Sequence, residues 1–181
     1  MNRPFVALAV TAAFTVAAAT ALPAQNRPSA PKLDDATIVA IFDAANTADI
    51  ETGDLAATRG ASKEVRAFGE MLSRDHKKVR QMGRDLAAKL GVTPTPPAND
   101  QGARDHAAAM KKLSALKGAD FDRAFLQHEA DFHQAVIQAV QTTLLPAIQN
   151  AELKDLVVKV APAFEGHMLA ARNLEKQLAS K

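Results

Sequence analysis

The sequence predicts an all-α protein: a four-helix bundle with a short extra helix in the long connection between the second and third long helices. Two observations carry this. After residue 34, apolar and small residues recur by three and four along four long segments, the spacing that lines one face of a 3.6-residue helix. No segment shows the two-residue alternation of a half-buried strand. At 181 residues and 48% hydrophobic content, the chain is long enough for one domain with a substantial core.

The first 24 residues read as an address. MNRPFVALAVTAAFTVAAATALPA carries Arg3, an apolar run from Phe5 to Ala19, and Ala19 and Ala21 framing a small-residue cleavage site, with Leu22 and Ala24 offering a second. The run is short for a spanning helix, which needs roughly 20 apolar residues. Residues 1–24 are therefore expected to be a cleaved signal peptide, 25–33 a polar, proline-containing linker, and 34–181 the bundle. The mature protein is expected outside the cytoplasm, in the periplasm of a two-membrane cell.

The elements follow in order. Asp34 and Asp35 are good N-caps for a first helix that runs to Arg59, with Ile41, Ala44, Ala48 and Leu55 on its apparent seam and Glu51 among them. Gly60 stops it. Ser62 caps the second helix, with Glu64 in the first turn where negative charge suits the helix dipole. Val65, Phe68 and Leu72, then Val79, Met82 and Leu86, form its stripe, interrupted in SRDHKKVRQ by Asp75 and His76. GVTPTPPANDQG, with three prolines, cannot continue a helix. A short helix is expected from about Arg104 to Leu116, and a third long helix from Asp120 to about Leu145 bearing Phe121, Phe125, His128, Phe132 and, on the adjoining stripe, Glu129 and His133. The last helix uses Leu153, Leu156, Val157, Val160, Phe164 and His167, with Pro162 expected to kink it.

In an up-and-down bundle, Glu51, His76, His133 and His167 fall at comparable heights, within about one or two helical turns at ~1.5 Å per residue. Asp75 and Glu129 can join them, Glu129 one turn before His133. Each long helix thus aims a polar group at one interior region. His128 reads as a packing residue and His106 as a surface one.

Several segments carry a family resemblance. NTADIETGDLAA, VRAFGEMLSRDH, ADFD followed by His133, and APAFEGHMLAARNL with His167 resemble the bacterial exported family of domain of unknown function 4142, over about Asp34 to Ala179. The resemblance implies a ferritin-like helical bundle in the cell envelope and no established activity. An outer-membrane label sometimes attached to such proteins has no support here, because the chain lacks a barrel's alternating strands.

The chemistry allows two readings. A di-metal carboxylate bundle uses Glu-x-x-His on two helices, and that motif is absent. One divalent transition-metal ion held by histidines among His76, His133 and His167 with Glu51 or Asp75 is chemically reasonable, because imidazole plus carboxylate suits zinc, copper, nickel or iron. The reading favoured from sequence alone is a non-enzymatic exported module whose acids and histidines form a hydrogen-bonded network that fixes helix register, since buried polar groups demand partners. Other classes lose ground. With no cysteine there is no thiolate site, and with no Trp or Tyr there are no large stacking platforms. A formal charge of +2, spread among acids, does not make a nucleic-acid footprint. The basic run Arg74, Lys77, Lys78, Arg80 and Arg84 reads as a solvated face, with contact to an anionic membrane surface or envelope protein as its other use. Intact-mass analysis of the natively produced protein should give a chain beginning near Leu22 or Gln25; a full-length chain retained in the inner membrane would contradict the export reading.

Overall fold

The computed structural model describes residues 33–180. The leader expected at 1–24 and all of the linker except Leu33 lie outside the described residues. Within them, the helices are α1 (Asp35–Arg59), α2 (Lys63–Leu90), α3 (Gln101–Ala115), α4 (Gly118–Ala139), α5 (Leu145–Ala147) and α6 (Ala151–Ala179), and a π-helical turn, Val140–Leu144, joins α4 to α5. No strand occurs among the described residues, and no helix there is long and apolar enough to cross a membrane.

Local chemistry sets the boundaries. The Asp34 carboxylate accepts from the Thr37 N–H at 2.8 Å, the Ser62 hydroxyl from Val65 N–H at 3.1 Å, Asp100 from Ala103 N–H at 2.9 Å, and Asn150 from Leu153 N–H at 3.1 Å. Each occupies a donor that the first helical turn leaves without a partner. Capped by Asp100, α3 begins at Gln101, three residues before the expected Arg104. Gly91, at φ 64°, ends α2 in the left-handed conformation that glycine adopts without steric cost. The third long helix stops being regular at Ala139, six residues before the expected Leu145, because the π turn intervenes. α6 remains helical through Pro162, which lies exposed.

The long helices pair as two hairpins, α1 with α2 and α4 with α6, which meet through α2 against α6 and α1 against α4, while α3 packs over α1 and α4. The interior has two separate apolar clusters. One gathers Ile38, Phe42, Leu153, Val157, Val160 and Phe164; the other gathers Val65, Phe68, Leu72, Phe121, Phe125 and Leu126. Between them lies a belt of buried polar side chains: Asn46, Asp49 and Thr52 from α1, Ser73 and His76 from α2, Glu129 and His133 from α4, and His167 from α6.

Backbone contact brings α1 and α2 close beside this belt. A Cβ added to Gly69 would sit 2.6 Å from the Gly53 carbonyl oxygen and 2.7 Å from the Ala57 nitrogen, and one added to Gly53 would sit 2.8 Å from the Gly69 carbonyl oxygen. Side-chain carboxylates pin the two ends. Asp122 of α4 accepts from the Ala61 and Ser62 N–H groups, both at 2.8 Å, and Asp35 accepts from those of Gln149 and Asn150, both at 2.9 Å.

Most of the basic run on α2 is engaged within the molecule. Lys77 pairs with Asp54, Arg84 with Asp43 and Arg74 with Asp75, and Arg80 donates to the Thr47 hydroxyl. Two of its five positive charges meet acids of α1 and a third meets Asp75 of α2 itself. The helix contact gives a paired prediction. Gly69→Ala should lower the melting temperature because backbone atoms block the new methyl, although Ala for Gly normally favours a helix interior by about 1 kcal/mol. Gly166→Ala, with nothing within 4 Å of the new Cβ, should raise it, as thermal denaturation of both variants would show.

Candidate metal centre

The polar belt owes its position to helical spacing. On α1, Phe42, Asn46, Asp49, Gly53 and Ala56 follow at intervals of four, three, four and three, and all are buried. The middle members face the interior because the stripe passes through them. Glu51, expected on the seam, is two residues from Asp49 and so lies on another face of the helix. Its side chain is 52% exposed and pairs at 2.7 Å with Nε2 of His106. It does not belong to the centre. The alanines of α1 hide the true stripe and make Glu51 look like a seam residue; the interval of four and three from Phe42 to Ala56 is the signal that picks Asn46 and Asp49. His106, read as a surface residue, is partly covered through this pairing. His128 packs with its ring 5.9 Å from that of Phe132, in keeping with a packing role.

Three of the expected residues do converge. His76, His133 and His167 each offer a ring nitrogen, and these nitrogens lie within 4.8 Å of one another. Asp49, Glu129 and His133 form a second group under the same criterion, sharing His133. His76, His133, Asp49 and Glu129 are buried to 1% exposure or less, His167 to 7%. Asp75 stands at the rim, its side chain 39% exposed, with Oδ2 3.5 Å from His167 Nε2.

The outer partners of the rings orient their lone pairs. His133 Nδ1 lies 2.9 Å from the Glu129 carbonyl oxygen, which can only accept, so Nδ1 carries the proton and Nε2 keeps a lone pair. That Nε2 has no hydrogen-bond partner. The Asn46 amide donates from Nδ2 to the Phe42 carbonyl at 2.8 Å, which aims its oxygen at His76 Nδ1, 2.9 Å away. His76 Nδ1 therefore donates and Nε2 carries the lone pair. Asp75 favours the proton on His167 Nε2, leaving His167 Nδ1 bare. His76 Nε2 and His167 Nδ1 then face each other at 3.1 Å. With metal–nitrogen bonds of about 2.0–2.1 Å, two imidazole nitrogens on a tetrahedral ion stand roughly 3.3 Å apart. A carbonyl or carboxylate behind each ligating ring is also the usual arrangement at metal-bound histidines.

The acids complete the set. Asp49 Oδ2 lies 3.3 Å from His76 Nδ1 and Oδ1 lies 3.8 Å from His133 Nε2. None of the four Asp49 and Glu129 carboxylate oxygens has a hydrogen-bond donor. Burial drives Asp49 well above the usual carboxylate range, with the nearby Glu129 charge adding to it, and raises Glu129 to about 7. Burial also depresses His76, to about 2, and His133, to about 4, and lowers His167. Two buried acids and three neutral imidazoles with converging lone pairs form a set of metal donors.

A helical bundle with histidines and carboxylates gathered at its middle places the chain among all-α proteins of ferritin-like architecture. The chain belongs to the family described as Domain of unknown function (DUF4142), whose profile matches residues 18–174. No curated protein matches it. Among solved structures it is similar to a DUF305 fragment from Deinococcus radiodurans, with a TM-score of 0.69 and 17% identity over 83% of this chain and 99% of that one. It is also similar to CopM in the Cu(II)-bound form, with a TM-score of 0.64 and 14% identity over 81% and 98%. At these identities the likeness is one of fold.

The acids and histidines pull stability in opposite directions with pH. In metal-free protein the native acid pair holds a proton that the unfolded chain releases near pH 4.5, so its contribution falls as pH rises toward 7. His76 and His133 stay neutral in the native state where the unfolded chain is protonated, so their contribution falls as pH drops below 6.5. Glu129→Gln removes the first effect and keeps the second. In chelator-treated samples, its melting temperature relative to wild type should rise from about pH 5 to about pH 8; a flat difference would mean that Glu129 ionises in place without penalty.

Proposed function

We propose that the protein is an exported metal-binding protein that holds one transition-metal ion between His76, His133 and His167, with Asp49 as a further ligand. The observation that carries this reading is the buried cluster of His76, His133 and His167, each with a ring nitrogen within 4.8 Å of the others, in which His133 Nε2 has its lone pair fixed by the carbonyl bond at Nδ1 and no hydrogen-bond partner. A hydrogen-bonded network that merely holds register accounts for the contact between His76 and His167. It leaves that nitrogen without a partner and the four buried carboxylate oxygens with no donor beyond the proton that Asp49 and Glu129 hold between them, a costly state in a low-dielectric interior.

Imidazole and carboxylate donors suit zinc and copper, and the Cu(II)-bound state of CopM, a neighbour in fold, fits copper. Because the ligands are nearly closed to solvent, binding and retention fit better than reaction on an external substrate, which requires an open coordination position. The leader expected from the sequence supports an activity outside the cytoplasm, and Asp75 at the rim offers an arriving cation its first carboxylate.

Copper(II) or zinc(II) should bind at one equivalent and raise the melting temperature by mass action, and acid should abolish the gain because the ligands must be deprotonated. His133→Ala should remove the metal-dependent increment, and Asn46→Ala, which releases the ring of His76, should weaken binding roughly 10–100-fold. Calorimetric titration with no stoichiometric binding of either ion would overturn the assignment.

A further inference from the structure

The three-histidine reading leaves Glu129 without a task. It is 0% exposed, and its Oε2 lies 3.6 Å from His133 Nδ1, on the side of the ring away from the lone pair. Nδ1 already donates to the Glu129 backbone carbonyl. The side chain thus stands behind His133, against Asp49 and Thr52. We propose that Glu129 acts as a charge-setting residue which makes this site selective for divalent over monovalent metal ions; the proposal rests on the three-histidine reading.

The argument is one of charge in an enclosed space. The imidazoles are neutral ligands. Among the described residues, no lysine or arginine pairs with Asp49 or Glu129; their ionisable neighbours are each other and the neutral histidines. A divalent ion that displaces the proton held by the acid pair meets two carboxylate charges, and the sum is zero. A monovalent ion leaves one negative charge buried without compensation, which a protein interior penalises heavily. The donor chemistry points the same way. Monovalent copper favours soft thiolate and thioether ligands, whereas the donors gathered here are imidazole nitrogens and carboxylate oxygens. Asp49 alone balances only half of a divalent charge, so the second carboxylate, whose Oε2 stands 3.6 Å from His133 Nδ1, decides the valence.

The test compares copper(II) and copper(I) affinities by chelator competition, with the midpoint potential of the bound couple, in wild type, Glu129→Gln and Glu51→Gln. Glu129→Gln should weaken copper(II) by about tenfold or more while changing copper(I) little, and each tenfold change in the ratio raises the one-electron potential by about 59 mV. Glu51→Gln, on the same helix as Asp49 but outside the centre, should leave the ratio unchanged. Equal weakening of both ions by Glu129→Gln, or of neither, would overturn the proposal while leaving the three-histidine site standing. Absence of binding in wild type would remove the site itself. Should Glu129→Gln not fold, wild type still decides: equimolar silver(I) should leave bound zinc(II) in place, and displacement of the zinc would refute selectivity by charge.

Discussion

The fold depends on how the polar belt is neutralised. Two apolar clusters would pack as one continuous core if the bundle were simply hydrophobic along its length. Instead, Asp49 and Glu129 sit between them with no donor to either carboxylate, beside imidazoles that burial keeps neutral. Such a layer is expensive unless a cation or proton occupies it. The surrounding structure spends several interactions holding it in place: the Asn46 amide locked on the Phe42 carbonyl, the carbonyl behind His133, and Asp75 behind His167. These orienting contacts aim lone pairs inward rather than satisfy them.

The same belt explains why the helix ends are so firmly fixed. A site assembled from four helices is only as exact as their relative heights. Asp122 and Asp35 are carboxylates that each bind two successive N–H groups in the turn at the opposite end of another hairpin. Arg59 adds a third tie, donating to the Ser114 and Leu116 carbonyls and lying over the Phe121 ring. Sliding one helix along another breaks charged hydrogen bonds at the ends before it disturbs the middle.

Much of this was legible in the sequence, for physical reasons. Large apolar residues at intervals of three and four mark α2, α4 and α6, so His76, Glu129, His133 and His167 were found as interruptions of a visible stripe. α1 has few large apolar residues in its second half. Apart from Ile50, its buried residues there, Asn46, Ala48, Asp49, Thr52, Gly53 and Ala56, are polar or small, so hydrophobicity cannot reveal the stripe. Hence Glu51 stood in for Asp49. The glycine contact between α1 and α2 was likewise invisible, since the meaning of Gly53 depends on Gly69, sixteen positions away on another helix. The π turn was missed because VQTTL carries no proline or glycine to announce it.

The two hairpins that carry the centre differ in compliance. α1 and α2 meet backbone to backbone at Gly53 and Gly69, so Asp49 and His76 sit on a pair with little room to breathe. α4 gives way to the π turn, and α6 lacks one main-chain hydrogen bond at Pro162, whose ring nitrogen cannot donate. A groove of about 250 Å³ lies between them, lined by Val136, Val140, Pro162 and Phe164. The Phe164 ring rests 5.3 Å from that of His76 and 5.9 Å from that of His133. In the proposed metal-binding function, tightness of hold and speed of exchange would fall to different parts of the molecule: the backbone-locked pair to the grip on a cation, and the pair with the π turn and Pro162 to its passage.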